Sequence, residues 1–321
     1  MRKLVQQLLL IASAALPQAV PAQDFPSKPI RLLVGFTPGG ATDLITRTLA
    51  QGLTEVMGQP IVVENIPGAS ATLATRKVAE AEPDGYTLLM MTSNDPVQSA
   101  LHPGLPYKLE TDITPISQVA IGAYILTTNP SVKAGNIAEL IAFARAHPGK
   151  LTYASPGVGS AQHLAGELFK SMAKVDILHI PYKGGGEVMN ALAAGQVDMT
   201  FGALPPSLPF IRANKVKALA VTTEHPISSL PGVPTLNDSG LAGYDRAGWF
   251  ALTAPKGLPR DLALKINHAV AQALRMQTVK DALGRQGLEP QPSTPEQLAA
   301  FIRRELKQAS TLIELAGVKI D

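Results

Sequence analysis

The chain has 321 residues, with 28 Lys+Arg against 25 Asp+Glu, 27 glycines, 27 prolines and no cysteine. At roughly 100–200 residues per domain this length suggests two domains, and 45% hydrophobic with 17% charged residues excludes a disordered chain. A net charge of +3 is too small for a polyanion binder. The missing cysteine excludes disulfides, thiolate metal sites, a cysteine nucleophile and a lipid-anchored N-terminal cysteine.

Arg2 and Lys3 precede an apolar run, Leu8–Leu16, and Val20-Pro21-Ala22 follows with small residues at the recognition positions. This pattern predicts a signal peptide over residues 1–22, cut after Ala22. The run is shorter than the roughly 20 residues a membrane-spanning helix needs. Losing Arg2 and Lys3 leaves 26 basic against 25 acidic residues.

Beyond the leader, strands and helices alternate. Ile30–Phe36 reads as a buried strand, and Leu44, Ile45, Leu49, Leu53 and Val56 recur at helical spacing up to Gly58. A strand at Ile61–Val63, a helix over Thr72–Ala81 and a strand at Tyr86–Met91 follow. Further strands are predicted near 124–128, 151–154, 177–180, 198–201 and 217–222, with helices near 136–147, 160–173 and 185–194. Gly248–Ala254 is a last strand before helices at 259–275, 278–286 and 295–316. The rhythm predicts an α/β fold of two lobes, each a mainly parallel sheet flanked by helices. A lone strand ahead of three helices is best placed by returning to the first sheet. The expected lobes are 23–122 plus 248–321, and 123–247, with crossings near 122–123 and 247–248.

Three glycine turns precede helices. In Pro38-Gly39-Gly40-Ala41-Thr42-Asp43, backbone N–H groups and the helix N-terminus suit an anion. Asp43 either caps that helix or faces a ligand. In Ser155-Pro156-Gly157-Val158-Gly159-Ser160-Ala161-Gln162-His163, Ser160 is an expected N-cap, and His163 either binds the backbone or reaches the same anion. Pro181-Tyr182-Lys183-Gly184-Gly185-Gly186 is either an anion nest or a plain turn. Enzyme readings lack parts: Gln162 stands where a Gly-x-Ser-x-Gly elbow needs glycine, the six histidines lack His-x-x-x-His spacing, and no acid/base dyad stands out. Two helix ends from two lobes, aimed at one crevice, make a clamp for a ligand.

A longer series of short signatures runs through the chain. Pro29-Ile30-Arg31, Pro38-Gly39-Gly40-x-x-Asp43, Glu64-Asn65-x-Pro67-Gly68-Ala69 and Pro83-Asp84-Gly85-Tyr86-Thr87-Leu88 lead it. Pro148-Gly149-Lys150-Leu151-x-Tyr153-Ala154-Ser155, Ser160-x-x-His163-Leu164-Ala165-Gly166-Glu167, Pro181-Tyr182-Lys183-Gly184, Gly195-Gln196-Val197-Asp198 and Leu230-Pro231-x-Val233-Pro234 continue it. In this order they resemble the Bug (TctC-like) family, periplasmic substrate-binding receptors of tripartite tricarboxylate transporters, over nearly the whole chain after the leader. The resemblance implies a two-lobed, type II Venus-flytrap protein of the periplasm, with no metal or organic cofactor. It would close on a small organic acid (mono-, di- or tricarboxylate, aromatic acids included). The resemblance maps ligand contacts to Gly39, Gly40, Ala41, Thr42, Asp43, Ala69, Ser70, Ser93 and Asn94 in the first lobe. In the second they fall on Ser155, Gly157, Gly159, Ser160, His163, Tyr182, Lys183, Gly184 and Ala203. The expected partners are membrane subunits of a transporter or, alternatively, a membrane histidine kinase, with no nucleic acid, for a monomeric receptor. An exported hydrolase using Ser160 and His163 is the remote alternative. Three departures stand out. Ser70–Ala74 replaces a stretch often rich in glycine, so added Cβ atoms should stiffen or narrow that wall. His102 stands where tyrosine is common, and His225 where arginine is expected.

Overall fold

The structure, a computed structural model, describes residues 25–316; the expected leader and its cleavage site lie outside them. The strands are β1 (Ile30–Val34), β2 (Ile61–Asn65), β3 (Thr87–Thr92), β4 (Ile113–Thr128), β5 (Thr152–Ser155), β6 (Leu178–Pro181), β7 (Met199–Ala203), β8 (Lys217–Val221), β9 (Ala247–Pro255) and β10 (Glu289–Pro290). The helices are α1 (Ala41–Met57), α2 (Thr72–Ala79), α3 (Asn94–Leu101), α4 (Leu109–Asp112), α5 (Ile137–Ala146), α6 (Ala161–Ala173), α7 (Gly185–Ala193), α8 (Leu204–Arg212), α9 (Arg260–Arg275), α10 (Gln277–Arg285) and α11 (Pro295–Ala316).

On the first side β2, β1 and β3 run parallel, and β9 closes the group antiparallel to β3. On the second side β6, β5 and β7 run parallel, with β4 antiparallel to β7. Strands covered on both faces must be apolar on both, which is why Leu32–Val34 of β1 and Leu88–Met91 of β3 read as unbroken hydrophobic runs, with the half-buried Arg31 paired to Glu64. Ile30, Leu32, Val34, Leu88 and Met90 join the core beneath α1, while Leu33, Leu89 and Met91 pack with Trp249, Leu298 and Ile302 on the opposite face. Helix α1 buries Ile45, Leu49 and Leu53 and ends at Gly58, whose left-handed φ of 70° lets its N–H reach Thr54 O at 3.0 Å.

One strand serves both sides. From Ile113 to Ala123, β4 pairs with β9; from Tyr124 onward it pairs with β7 and, over part of its length, β8. Gly122 and Gly248 face each other where the partners change. The sequence reading placed only 124–128 in a strand, because Pro115 and the polar Ser117 and Gln118 interrupt the pattern. Register shifts at Pro115/Ser117 and Gln118/Ala120 accommodate them. Three helices also lay hidden. The short α4 is one. Asn94-Asp95-Pro96 reads as a turn yet opens α3. Leu204-Pro205-Pro206 opens α8, with Pro205 and Pro206 in the first turn where a missing N–H costs nothing and Pro209 inside the helix.

Helix α6 lies directly over β5. An added Cβ at Gly166 would sit 2.3 Å from Cε2 of the fully buried Tyr153 ring. Gly166→Ala is therefore expected to lower stability by about 1–3 kcal/mol, read as a lower midpoint in chemical denaturation.

Candidate functional site

Three helix N-termini converge between the two sides. Helices α1 and α7 begin at Gly40 and Gly184, neither of which offers a capping side chain. Their first-turn N–H groups lack intrahelical acceptors, and the first-turn acids Asp43 and Glu187 accept instead from Gly39 and Lys183 N–H, one residue ahead of each N-cap. Helix α6 differs. Ser160 Oγ accepts from His163 N–H at 3.1 Å, and Asn94 Oδ1, from the other side, accepts from Ala161 N–H at 2.7 Å.

The innermost space is a cavity of ≈ 20 Å³ lined by Phe36, Gly40, Ala41, Thr42, Asn94, Pro156, Gln162, Gly185 and Ala203. That is about enough for one water. The Gln162 amide oxygen is buried there without a hydrogen-bond partner, an acceptor aimed at a site built mainly of donors. A larger cavity of ≈ 330 Å³ shares Phe36 and Pro156 with it and adds Ala69, Ser70, Gln98, His102, Gly157, Tyr182 and Lys183. A third, of ≈ 580 Å³, lies beside Thr37, Pro38, Gly39 and Gly186.

The two sides touch through hydrogen bonds to main-chain atoms. Ser70 Oγ donates to Val158 O at 2.8 Å, and Gln98 Nε2 donates to Gly159 O at 2.7 Å and Val158 O at 3.2 Å. Gly184 permits one close approach: a Cβ there would meet Thr37 Oγ1 at 2.1 Å. Ala69, Ser70 and Ala71 hold φ of 44°, 49° and 84°, a left-handed run that L-residues rarely adopt. These Cβ-bearing residues carry backbone strain at a loop that aims Ser70 across the crevice.

Several expected ligand contacts have other work. The Asp43 carboxylate is buried and accepts from Gly39 N–H at 3.0 Å, from Arg47 Nε at 3.0 and 3.1 Å, and from Asn65 Nδ2 at 3.0 Å. Burial pushes its pKa up, but the Arg47, Gly39 and Asn65 hydrogen bonds and the Arg47 charge outweigh this and hold it below the ordinary 3.8. In this structure the Asp43 carboxylate is engaged in organising the turn ahead of α1. His163 Nδ1 accepts from Gly159 N–H at 3.0 Å, and its ring stacks on His179 with centroids 4.0 Å apart. Burial lowers the pKa of His163, and pushes that of His179 down to about 3, so both rings are neutral at pH 7. The Ser160 hydroxyl meets the His163 backbone rather than its ring, which removes the proton path a hydrolase would need. Ser155 is fully buried, bonding Gly157 and His179 Nε2, and Ser93 Oγ bonds Tyr124 Oη at 2.7 Å. These five side chains shape the turns and the strand ends beneath them, and none lines the cavities. Sequence reasoning missed Phe36, Gln98, Pro156, Gln162 and Gly185 as lining residues, although Pro156, Gln162 and Gly185 stand inside the motifs it singled out.

The chain matches the family described as "Tripartite tricarboxylate transporter family receptor" over residues 45–318. It is 35% identical to the protein BugT of Bordetella pertussis over 314 residues, 97% of this chain and 96% of that one. Among solved structures it is similar to an R. palustris protein with adipate (33% identity, TM-score 0.90, 92% of this chain and 99% of that one). It is also similar to MatC from Rhodopseudomonas palustris with bound malate (31% identity, TM-score 0.86, 90% and 100%). The two-lobed periplasmic-binding-protein fold is common to them.

Asp43→Asn is expected to lower stability at pH 7 by about 1–3 kcal/mol, since it leaves buried donors facing an amide. An acid held below its ordinary pKa stabilises above that value and loses the contribution as pH falls through the lowered one. The gap between Asp43→Asn and the natural protein should therefore close below about pH 3.8, measured by urea unfolding at each pH.

Proposed function

The chain belongs to the tripartite tricarboxylate transporter receptor (TctC) family, and we propose that it closes on a small organic carboxylate and delivers it to the membrane subunits of such a transporter. The observation that carries this reading is the pair of uncapped N-termini, α1 and α7, brought from opposite sides to one cavity. A carboxylate between them would take N–H donors from Gly40, Ala41 and Thr42 on one side and from Gly185 on the other. The Asn94 amide already spans the two sides, Ala203 forms the apolar wall, and Gln162 suits a hydroxyl, water or amine on the ligand. The rest of the ligand would extend into the cavity at Ala69, Ser70, Gly157, Tyr182 and Lys183, where His102 lies in place of tyrosine. We place the lobes at 23–122 plus 248–321 and 123–247, hinged where β4 changes partner. Export by cleavage after Ala22 would put the receptor in the periplasm.

Closure follows from differential affinity. A ligand held by donors from both lobes interacts best with the closed arrangement, and that difference shifts the population. Taking the closed fraction from 1:99 to 99:1 needs about 5.5 kcal/mol, within reach of several charge-assisted hydrogen bonds at about 1.5–3 kcal/mol each. The malate and adipate of the two similar structures are dicarboxylates, which supports the ligand class.

A panel of mono-, di- and tricarboxylates, screened by thermal unfolding and by Trp249 fluorescence, tests the reading. Trp249 is the single tryptophan, buried beside the crossing with its Nε1 2.8 Å from Glu305 Oε2. A bound acid at 100 times its Kd should add about 2.7 kcal/mol of stability. Gly184→Val, placing Cβ against Thr37, should weaken that acid at least tenfold while leaving the unliganded protein folded. A panel with no binder, or a Gly184→Val protein that binds as well as the natural one, sinks the proposal.

A further inference from the structure

A cavity of ≈ 650 Å³ lies apart from the crevice, between α6, the 243–246 segment and α11, and shares no lining residue with the cavities described above. Its floor is apolar: Leu168 and Met172 from α6 face Leu312 from α11. Leu312 is itself anchored in a cluster with Val97, Leu164 and Ala309. Arg246, Arg304 and Lys307 line the same cavity, with Asp245 as its only carboxylate. None of the three cations forms an ion pair among the described residues. Asp245 is partly engaged elsewhere, its Oδ1 accepting from Glu224 N–H at 3.1 Å. Arg246 is fixed at its backbone, which exchanges hydrogen bonds with Thr222 on both its N–H (2.7 Å) and its C=O (2.6 Å) sides. The Arg304 guanidinium lies 5.0 Å from the Phe301 ring centroid.

An apolar concavity lined by three cations and one partly engaged carboxylate favours one chemistry above others. A neutral apolar molecule leaves the charges unused, and a small inorganic anion leaves the floor unused. An anion with an apolar body uses both. We propose that this cavity is a second binding site, for an amphipathic organic carboxylate, distinct from the crevice between the helix ends. Its walls come from both sides of the molecule: α6 belongs to the second group of strands, whereas α11 packs through Leu298, Ile302 and the Phe301–Trp249 contact onto the first. An occupant therefore bridges the two sides at a place remote from the crevice, and any preference for one arrangement is returned reciprocally to the ligand there.

Octanoate is the probe, with octanol and octyltrimethylammonium as its neutral and cationic counterparts. The full-length protein, labelled with ¹³C at the methionine methyls, supplies local signals, the Met172 resonance being assigned through Met172→Leu. Octanoate should shift the Met172 methyl saturably, and each counterpart should bind at least tenfold more weakly. The double variant Arg304→Gln, Lys307→Gln alters two exposed side chains and should keep the natural melting temperature. It should weaken octanoate at least tenfold. A Met172 signal that stays still at millimolar octanoate overturns the proposal, as does movement confined to Met189, which lines the crevice side. Octanol matching octanoate, or a double variant with unchanged affinity, overturns it equally.

Discussion

The first turns of α1 and α7 leave backbone N–H groups without intrahelical acceptors, and glycine at both N-cap positions means that no cap supplies one. Some helices meet the same need with a side chain: Asn136 caps α5 through Glu139 N–H, and Ser160 caps α6 through His163 N–H. Others, α2, α8, α9 and α10, have no side-chain cap either; what sets α1 and α7 apart is that glycines at both their starts line one shared cavity. Glycine also removes the side chain that would hold the two ends apart, so one residue type supplies both the open donor and the close approach. Asp43, Arg47 and Asn65 serve that arrangement from behind, holding the Gly39 turn rigid.

The second constraint is the continuity of β4. Because it pairs with β9 on one side and β7 and β8 on the other, the two groups of strands are joined by an unbroken strand. In the proposed hinge, flexing would centre on the few residues around Gly122 and Gly248, since larger separations would break ladder hydrogen bonds. Neither glycine is idle space: a Cβ at Gly122 would strike Leu288, and one at Gly248 would strike Tyr124. Tyr124 in turn bonds Ser93 at the end of β3, so the crossing and the first turn of α3 are linked by one hydroxyl pair.

Much of the fold was legible because buried parallel strands leave continuous apolar runs and the helices between them carry clear 3.6-residue patterns. Most of what stayed hidden shares one cause. The first half of β4, α3 and α8 contain prolines or short polar runs that locally signal a break; bulges and first-turn positions accommodate all of them but Pro209, which lies inside α8. At the site, the glycine turns were visible, but the roles of Asp43 and His163 were not. An acid or a histidine in a first turn looks the same whether it faces a ligand or the backbone; here Arg47, Asn65 and the Gly159 N–H decide. Gln98 carries no local signal at all, since its significance comes from a loop 60 residues later in the chain.

The direct hydrogen bonds that hold the crevice together are made by the side chains of Ser70, Gln98 and Asn94 to the carbonyls of Val158 and Gly159 and the amide of Ala161. At these turns the second side is recognised through its main chain, while the Ser93–Tyr124 hydroxyl pair joins the strand ends beneath. Side chains of the turn can change without deleting these contacts, except at Gly157 and Gly159, where a Cβ would strike Ser70 or Gln98. The exposed Val158 side chain, for example, is free of that duty although its carbonyl accepts two of the bonds. In the proposed receptor, the fold would in this way decouple the act of shutting from the identity of what is shut in. The wall can be rewritten for a new cargo while the clasp stays as it is.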